Sequence, residues 1–371
     1  MSTVVDTPGI ERTKPKRPYP VIDCDVHPMM NSPKQLAPYL SAAWRERLNI
    51  GEYDHPTRRV PHGWFFPGQR DGNRVDSFPE KGNAGSDQAL VVKQVFGDHG
   101  IGYAVLMSGQ TLFLGGIANA DLAATVTSAY NDWMVNEWLT YDKRFLGSIA
   151  VAPQDPLRAA AEIRRLAGHP QMVQVFVATP ERRIGNPRYD PIWQAADEVG
   201  LPVTWHPGGG PPGGGIAGPP NSYIEGFASL TFTAQAQFIS VITEGVFEKF
   251  PKMKFAIVEG GIAWVLSAIW RIRRAWLANR DELPYMKRSP EDYLREHIRI
   301  STQPMEEPEG DPSDIYQALK ILDCERWLMY ASDYPHWDFD NPEVALRGFP
   351  AEVQKKIMYD NPKAFYTKLE L

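Results

Sequence analysis

The sequence predicts a closed (β/α)8 TIM barrel with a long insertion after its first strand acting as a cap. Three observations lead there. Eight short apolar runs recur along the chain, helical segments with readable boundaries separate most of them, and no Gly-x-Gly-x-x-Gly opens the first helix. The last point removes the usual reason to expect an open dinucleotide-binding sheet. The runs are close to continuously hydrophobic, as parallel strands covered by helices must be.

In chain order, residues 1–19 are polar and proline-bearing and read as a flexible N-terminal arm. A single barrel domain follows over 20–371, with strands expected at 21–27, 101–108, 144–152, 172–178, 201–206, 253–259, 297–302 and 326–332. Residues 28–100 are rich in Gly, Pro, Arg and Asp and too long for a turn, which makes them a cap. Within it, His55 and His62 read as loop histidines, usually solvated but able to touch substrate. Trp64, Phe65 and Phe66 either line an apolar pocket or anchor the cap. A helix is expected over 118–141. The next, over 155–168, has Asp155 as cap, Pro156 at its first position, Leu157, Ala160 and Ile163 on one face, and Gly168 to end it. Segments 190–200, 289–297 and 311–323 open in the same way. After the fifth strand, 207–223 holds seven glycines and five prolines, a composition that suits either an active-site loop that moves over a ligand or a plain connector. Long helices are expected over 226–249 and 262–282. On the second, Trp264, Ile269, Trp270, Ile272 and Trp276 read as packing residues, and Arg271, Arg273 and Arg274 as a solvated face.

Composition excludes several classes. The chain has 371 residues, 43% hydrophobic and 23% charged, which excludes disorder, collagen and coiled coil. Thirty-nine basic against forty-five acidic residues leave a net charge of -6, so neither nucleic acid nor an anionic membrane is an expected partner. Cys24 and Cys324 make no disulfide framework and match no zinc motif, which points to a reducing, cytoplasmic setting. Cys24, inside a strand, reads as an inert small apolar residue. No signal peptide and no membrane span are read from the chain.

A barrel of this kind carries its chemistry at the carboxyl ends of its strands. Metal-capable side chains stand at four of them: Asp25 and His27, His206, Glu259, and Asp333 with His336. Asp25 and His27 are two apart, so strand alternation points both to one face. Asp25, His27, His206 and Asp333 form a set of two imidazoles and two carboxylates suited to Zn, Mn or Fe, with Asp333 placed to take a proton from a bound water.

The segments IDCDVH, WHPGG, FPKMKFAIVEGGIAWV and LMYASDYPHWD resemble the amidohydrolase superfamily, and within it the branch of aminocarboxymuconate-semialdehyde decarboxylase and the resorcylate decarboxylases. The resemblance runs from Val21 onward. It implies a distorted TIM barrel with one divalent transition metal held by Asp25, His27, His206 and Asp333, and a homodimer. Two positions depart from the family pattern: Asp25 stands where many members carry His, and Glu259 where a His is common. Glu259 is then an acid/base, a ligand with His336 of a second metal, or a group that orients His206. The fourth strand, MVQVFVA, offers no lysine for carboxylation, which leaves one metal as the default.

The leading functional expectation is a metal-dependent hydrolase that activates water against an amide, lactone, ester or thioester of a small molecule, with Asp333, Glu259 and His336 as the catalytic groups. The alternative is a non-oxidative, metal-dependent decarboxylase of an aromatic or unsaturated carboxylic acid. A third is a catalytically silent barrel that binds a ligand.

Overall fold

The computed structural model describes residues 17–48, 72–107, 109–178, 182–208 and 222–369. Most of the expected arm, His55, His62, Trp64, Phe65 and Phe66, and loop residues 209–221 lie outside the described residues. Eight strands form one parallel sheet in sequence order: β1 Val21–Val26, β2 Ile101–Leu106, β3 Phe145–Val151, β4 Met172–Ala178, β5 Val203–His206, β6 Phe255–Ile257, β7 Ile298–Ser301 and β8 Leu328–Met329. The edges meet. Cys24 N–H donates to Tyr330 O at 3.0 Å, Asp333 N–H to Asp25 O at 3.1 Å and His27 N–H to Tyr334 O at 2.7 Å. Helices cover the sheet, so the architecture is the expected (β/α)8 barrel.

Its inside is filled from below. Ile22, Cys24, Val105, Leu146, Val173, Ala256 and Met329 form one cluster with Ala331, Phe365 and Tyr366. Side chains from six strands can meet in one small group only within the ring, and the C-terminal Phe365 and Tyr366 close that end. The larger cluster lies between the strands and the surrounding helices, with Trp133, Trp138, Trp193 and Trp327 fully buried.

The helices follow local chemistry. Asp155 caps helix Pro156–Leu166 by accepting from the N–H groups of Leu157 and Arg158. Its buried face is Ala159, Ala160, Ile163 and Leu166, whereas Leu157 is 72% exposed, which corrects the expected face. At about 100° per residue, Leu157 and Ile163 stand roughly 120° apart. The helix expected over 118–141 is α-helical over Ala120–Trp133 and continues as a π turn over Met134–Leu139. The one expected over 226–249 starts earlier, as Tyr223–Thr243, because Ser222 caps it, and Gly245 at φ 66° breaks it before Val246–Lys249. On helix Trp264–Ala278, Ile269 and Ile272 are buried but Trp270 is 50% exposed, so Trp270 is not the packing residue expected. The described part of the insertion holds short helical turns, and residues 72–74 return over the barrel mouth, where Asn73 bridges His336 and Arg74 N–H donates to Pro335 O at 2.9 Å. No described helix is long and apolar enough to cross a membrane.

Candidate metal centre

Four strand ends converge on one point. In β1 the register shifts between Asp23 and Val26, so Cys24 and the adjacent Asp25, which strict alternation would separate, both serve the barrel interior. His27 follows on the same side as Asp25. Its Nδ1 lies 2.6 Å from Met107 O and therefore carries the proton, which leaves Nε2 directed at the centre. His206, the last residue of β5, is fixed the same way by Pro207 O. Beyond β6 and β8, Glu259 and Asp333 take left-handed backbone conformations, φ 52° and 61°, rare for residues other than glycine and costing of order 1–3 kcal/mol each. Hydrogen bonds hold both turns: Ser301 Oγ takes the Glu259 N–H at 3.0 Å, and Asp25 O takes that of Asp333.

The contacts are short. His27 Nε2 is 3.1 Å from Asp25 Oδ1 and 2.9 Å from Asp333 Oδ1, and His206 Nε2 is 3.3 Å from Asp25 Oδ2 and 2.9 Å from Glu259 Oε2. Yet both Asp25 oxygens and the Nε2 atoms of His27 and His206 are buried without a hydrogen-bond partner of correct geometry. Four orphaned buried donor atoms that face a common point, rather than each other, are what a cation would satisfy. One ligand atom each from Asp25, His27, His206 and Glu259 lies within 4.8 Å of the others, as do atoms from His27, Glu259, Asp333 and His336. The donor set fits a divalent metal. The donors fall in two overlapping clusters, with Asp25 in one, Asp333 in the other, and His27 and Glu259 in both.

The electrostatics agree with that fit. Burial pushes the Asp25 carboxyl up, but the imidazoles of His27 and His206 outweigh it and hold it well below the usual range. Burial works against charge on His206 as well, yet Asp25 and Glu259 raise it to about 10, while Asp25 and Asp333 raise His27. Asp333 is lowered by His336 and His27 against its burial. Carboxylates that hold protons so firmly on two imidazoles would hold a divalent cation in their place.

Around the centre stand groups that the sequence reading missed. Asp23 Oδ1 accepts the N–H of Asp25 at 3.1 Å and that of Ser332 at 2.9 Å and so ties β1 to the segment after β8. The first of the two acids of IDCDVH was its visible signal. Gln303 Nε2 donates to Asp333 Oδ2 at 3.1 Å and to Asp338 Oδ2 at 3.0 Å. Burial, with Asp333 and Glu259 nearby, pushes Asp338 up to about 8. Tyr223 answers to the same carboxylates: burial, Asp338, Glu259 and Asp333 raise its hydroxyl to about 12. Nothing in the spacing of Gln303 or Tyr223 marked them. His336 pairs with Asp333 Oδ1 through Nδ1 at 2.6 Å, its ring centroid 4.7 Å from that of His27. Of the arginines read as a solvated face, Arg273 pairs with Glu291 at 3.1 Å. Cys24 is fully buried and its thiol is raised by that burial, in keeping with an inert residue.

A parallel barrel with acids and imidazoles at its strand ends defines a metal-site enzyme of the TIM-barrel class. The chain belongs to the amidohydrolase family Amidohydro_2, whose profile matches residues 22–368. It is 24% identical over 258 residues to a gamma-resorcylate decarboxylase of Polaromonas sp. strain JS666, a match that spans 66% of this chain and 76% of that one. Its fold is similar to 5-carboxyvanillate decarboxylase of Novosphingobium aromaticivorans, solved with manganese and 4-hydroxy-3-methoxy-5-nitrobenzoic acid (19% identity, TM-score 0.66, 95% of this chain and 97% of that one). An amidohydrolase of Mycobacterium avium subsp. paratuberculosis is similar too (20% identity, TM-score 0.69, 94% and 100%). These findings overturn the expectation of a hydrolase acting on amides, lactones, esters or thioesters: the relatives whose names give a substrate are decarboxylases. One set of metal donors serves either chemistry, and the strand ends alone do not choose between them.

Proposed function

We propose that the chain is a metal-dependent, non-oxidative decarboxylase of an aromatic carboxylic acid. The observation that carries this reading is the likeness, in sequence and in fold, to decarboxylases of resorcylate and carboxyvanillate, combined with orphaned donors at the strand ends of this chain. Asp25, His27, His206 and Asp333 would hold the ion, with Glu259 beside them. Counting Glu259, the donors are three carboxylates and two imidazoles, an oxygen-rich set that favours manganese over zinc. When bound, the cation supplies positive charge that draws a carboxylate and a neighbouring oxygen into the centre.

The remaining work is proton transfer. The bond from ring carbon to carboxylate breaks, carbon dioxide leaves, and the electron pair left on carbon takes a proton. The side chains of Asp25, His27, His206 and Asp333 are 0–1% exposed, whereas Glu259 is 14% and His336 27% exposed. Those two are the titratable groups of the centre that substrate can reach, and they are assigned the proton exchange, His336 oriented by Asp333. Metal-loaded protein given a panel of hydroxybenzoic acids should release carbon dioxide and the matching phenol, and chelator should stop it. Hydrolysis of an ester or amide with no carbon dioxide from any acid would sink the assignment.

A further inference from the structure

Beside the centre, three aromatic rings are already assembled. Trp337 follows His336 directly, and its backbone N–H is held by Gly72 O at 3.0 Å. Its indole Nε1–H donates to the Tyr223 hydroxyl. Phe227, one turn on along helix Tyr223–Thr243, lies 5.5 Å from the Trp337 ring centroid and 5.8 Å from that of Tyr223, the latter pair stacked at 28°. Tyr223 and Trp337 meet at 6.1 Å. Trp337 is the chain neighbour of His336, and the Tyr223 hydroxyl is within the electrostatic reach of Asp338, Glu259 and Asp333. Trp337 remains 38% exposed although large and apolar.

We propose that Trp337, Phe227 and Tyr223 form the wall against which the aromatic ring of the substrate packs as it enters the centre, and so set the preference for a planar ring. This deepens the decarboxylase reading and rests on it. Flat π faces at 5.5–6.1 Å from one another fix where a further ring packs, offset or edge-on, and the hydrogen bond between Trp337 and Tyr223 holds two of them without any ligand. A flexible dienoic chain meets the same surface with less contact and loses more freedom there.

The test is steady-state kinetics of metal-loaded Trp337→Ala, Phe227→Ala and Trp337→Phe, each with its metal content measured, on an aromatic hydroxy acid and on an open-chain unsaturated diacid. The two alanine variants should raise KM for the aromatic acid roughly tenfold or more with a smaller change in kcat, and Trp337→Phe should recover most of the loss. Metal content should match wild type. An unmoved aromatic KM, or an equal rise for the open-chain acid, overturns the wall. If wild type decarboxylates nothing, the functional reading fails and the wall is judged by calorimetric titration with 4-hydroxy-3-methoxy-5-nitrobenzoic acid. Binding that weakens tenfold in Trp337→Ala upholds it; equal binding, or none to wild type, removes it.

Discussion

At the scale of single residues, the centre is a set of acids and imidazoles whose protons stand where a cation would. Glu259 stands 2.9 Å from His206 and is 14% exposed, which is why the proposed reaction assigns it a proton to exchange. Glu259→Gln keeps size and removes titration, so turnover should fall about 10²-fold or more, the scale of a positioned acid or base. Elemental analysis of the same variant shows whether Glu259 also holds the ion, since metal content falls only then. The raised imidazoles give a second prediction. His206 sits at about 10 in the folded, metal-free chain against an ordinary value of 6.5, so between these the folded state binds the extra proton. Its contribution to stability is complete below about pH 6.5 and is lost as pH rises towards 10. Asp338, raised from 3.8 to about 8, acts with the same sign at lower pH. Chelator-treated protein should therefore melt at a higher temperature at pH 6 than at pH 9.5 by calorimetry. Metal-loaded protein should not share this trend, because the ion needs neutral imidazoles. Equal melting temperatures for the metal-free form would show that the imidazoles are not protonated.

Among elements, what the sequence revealed and what it hid divide along physical lines. Strand positions were legible because parallel strands need unbroken apolar runs, and 101–108 or 172–178 contain little else. The ends were less so: the runs expected at 253–259 and 326–332 are regular strand only over Phe255–Ile257 and Leu328–Met329, because Glu259 and Asp333 leave the strand to face the centre. Asp25, His27, His206, Glu259 and Asp333 were legible as types at strand ends. Gln303, Asp338 and Tyr223 were not, since each acts through a partner distant in sequence, such as Gln303 through Asp333. The glycine-rich stretch after β5 has one physical reason in view. A Cβ on Gly208 would lie 2.2 Å from Leu112 O, backbone that cannot yield. Gly208→Ala should thus destabilise by about 1–3 kcal/mol and, as His206 is two residues away, lower metal content as well, read by denaturant unfolding and elemental analysis. A wild-type midpoint with full metal would mean that the two segments can part without cost.

For the molecule as a whole, the barrel seam carries an implication in time. Asp23 joins Asp25 to Ser332, and Asp333 hangs its own N–H on Asp25 O, across more than three hundred residues of chain. Contacts of such sequence separation form late, after nearly all of the chain's loop-closure cost has been met. A polypeptide still leaving the ribosome can display the Asp25–His27 pair and even His206, yet it lacks Asp333, His336 and the seam that aims them. At the proposed site, capture of an ion would then wait until the segment through His336 has been made and has closed on β1, and a shorter nascent chain would offer the wrong cation no finished cage.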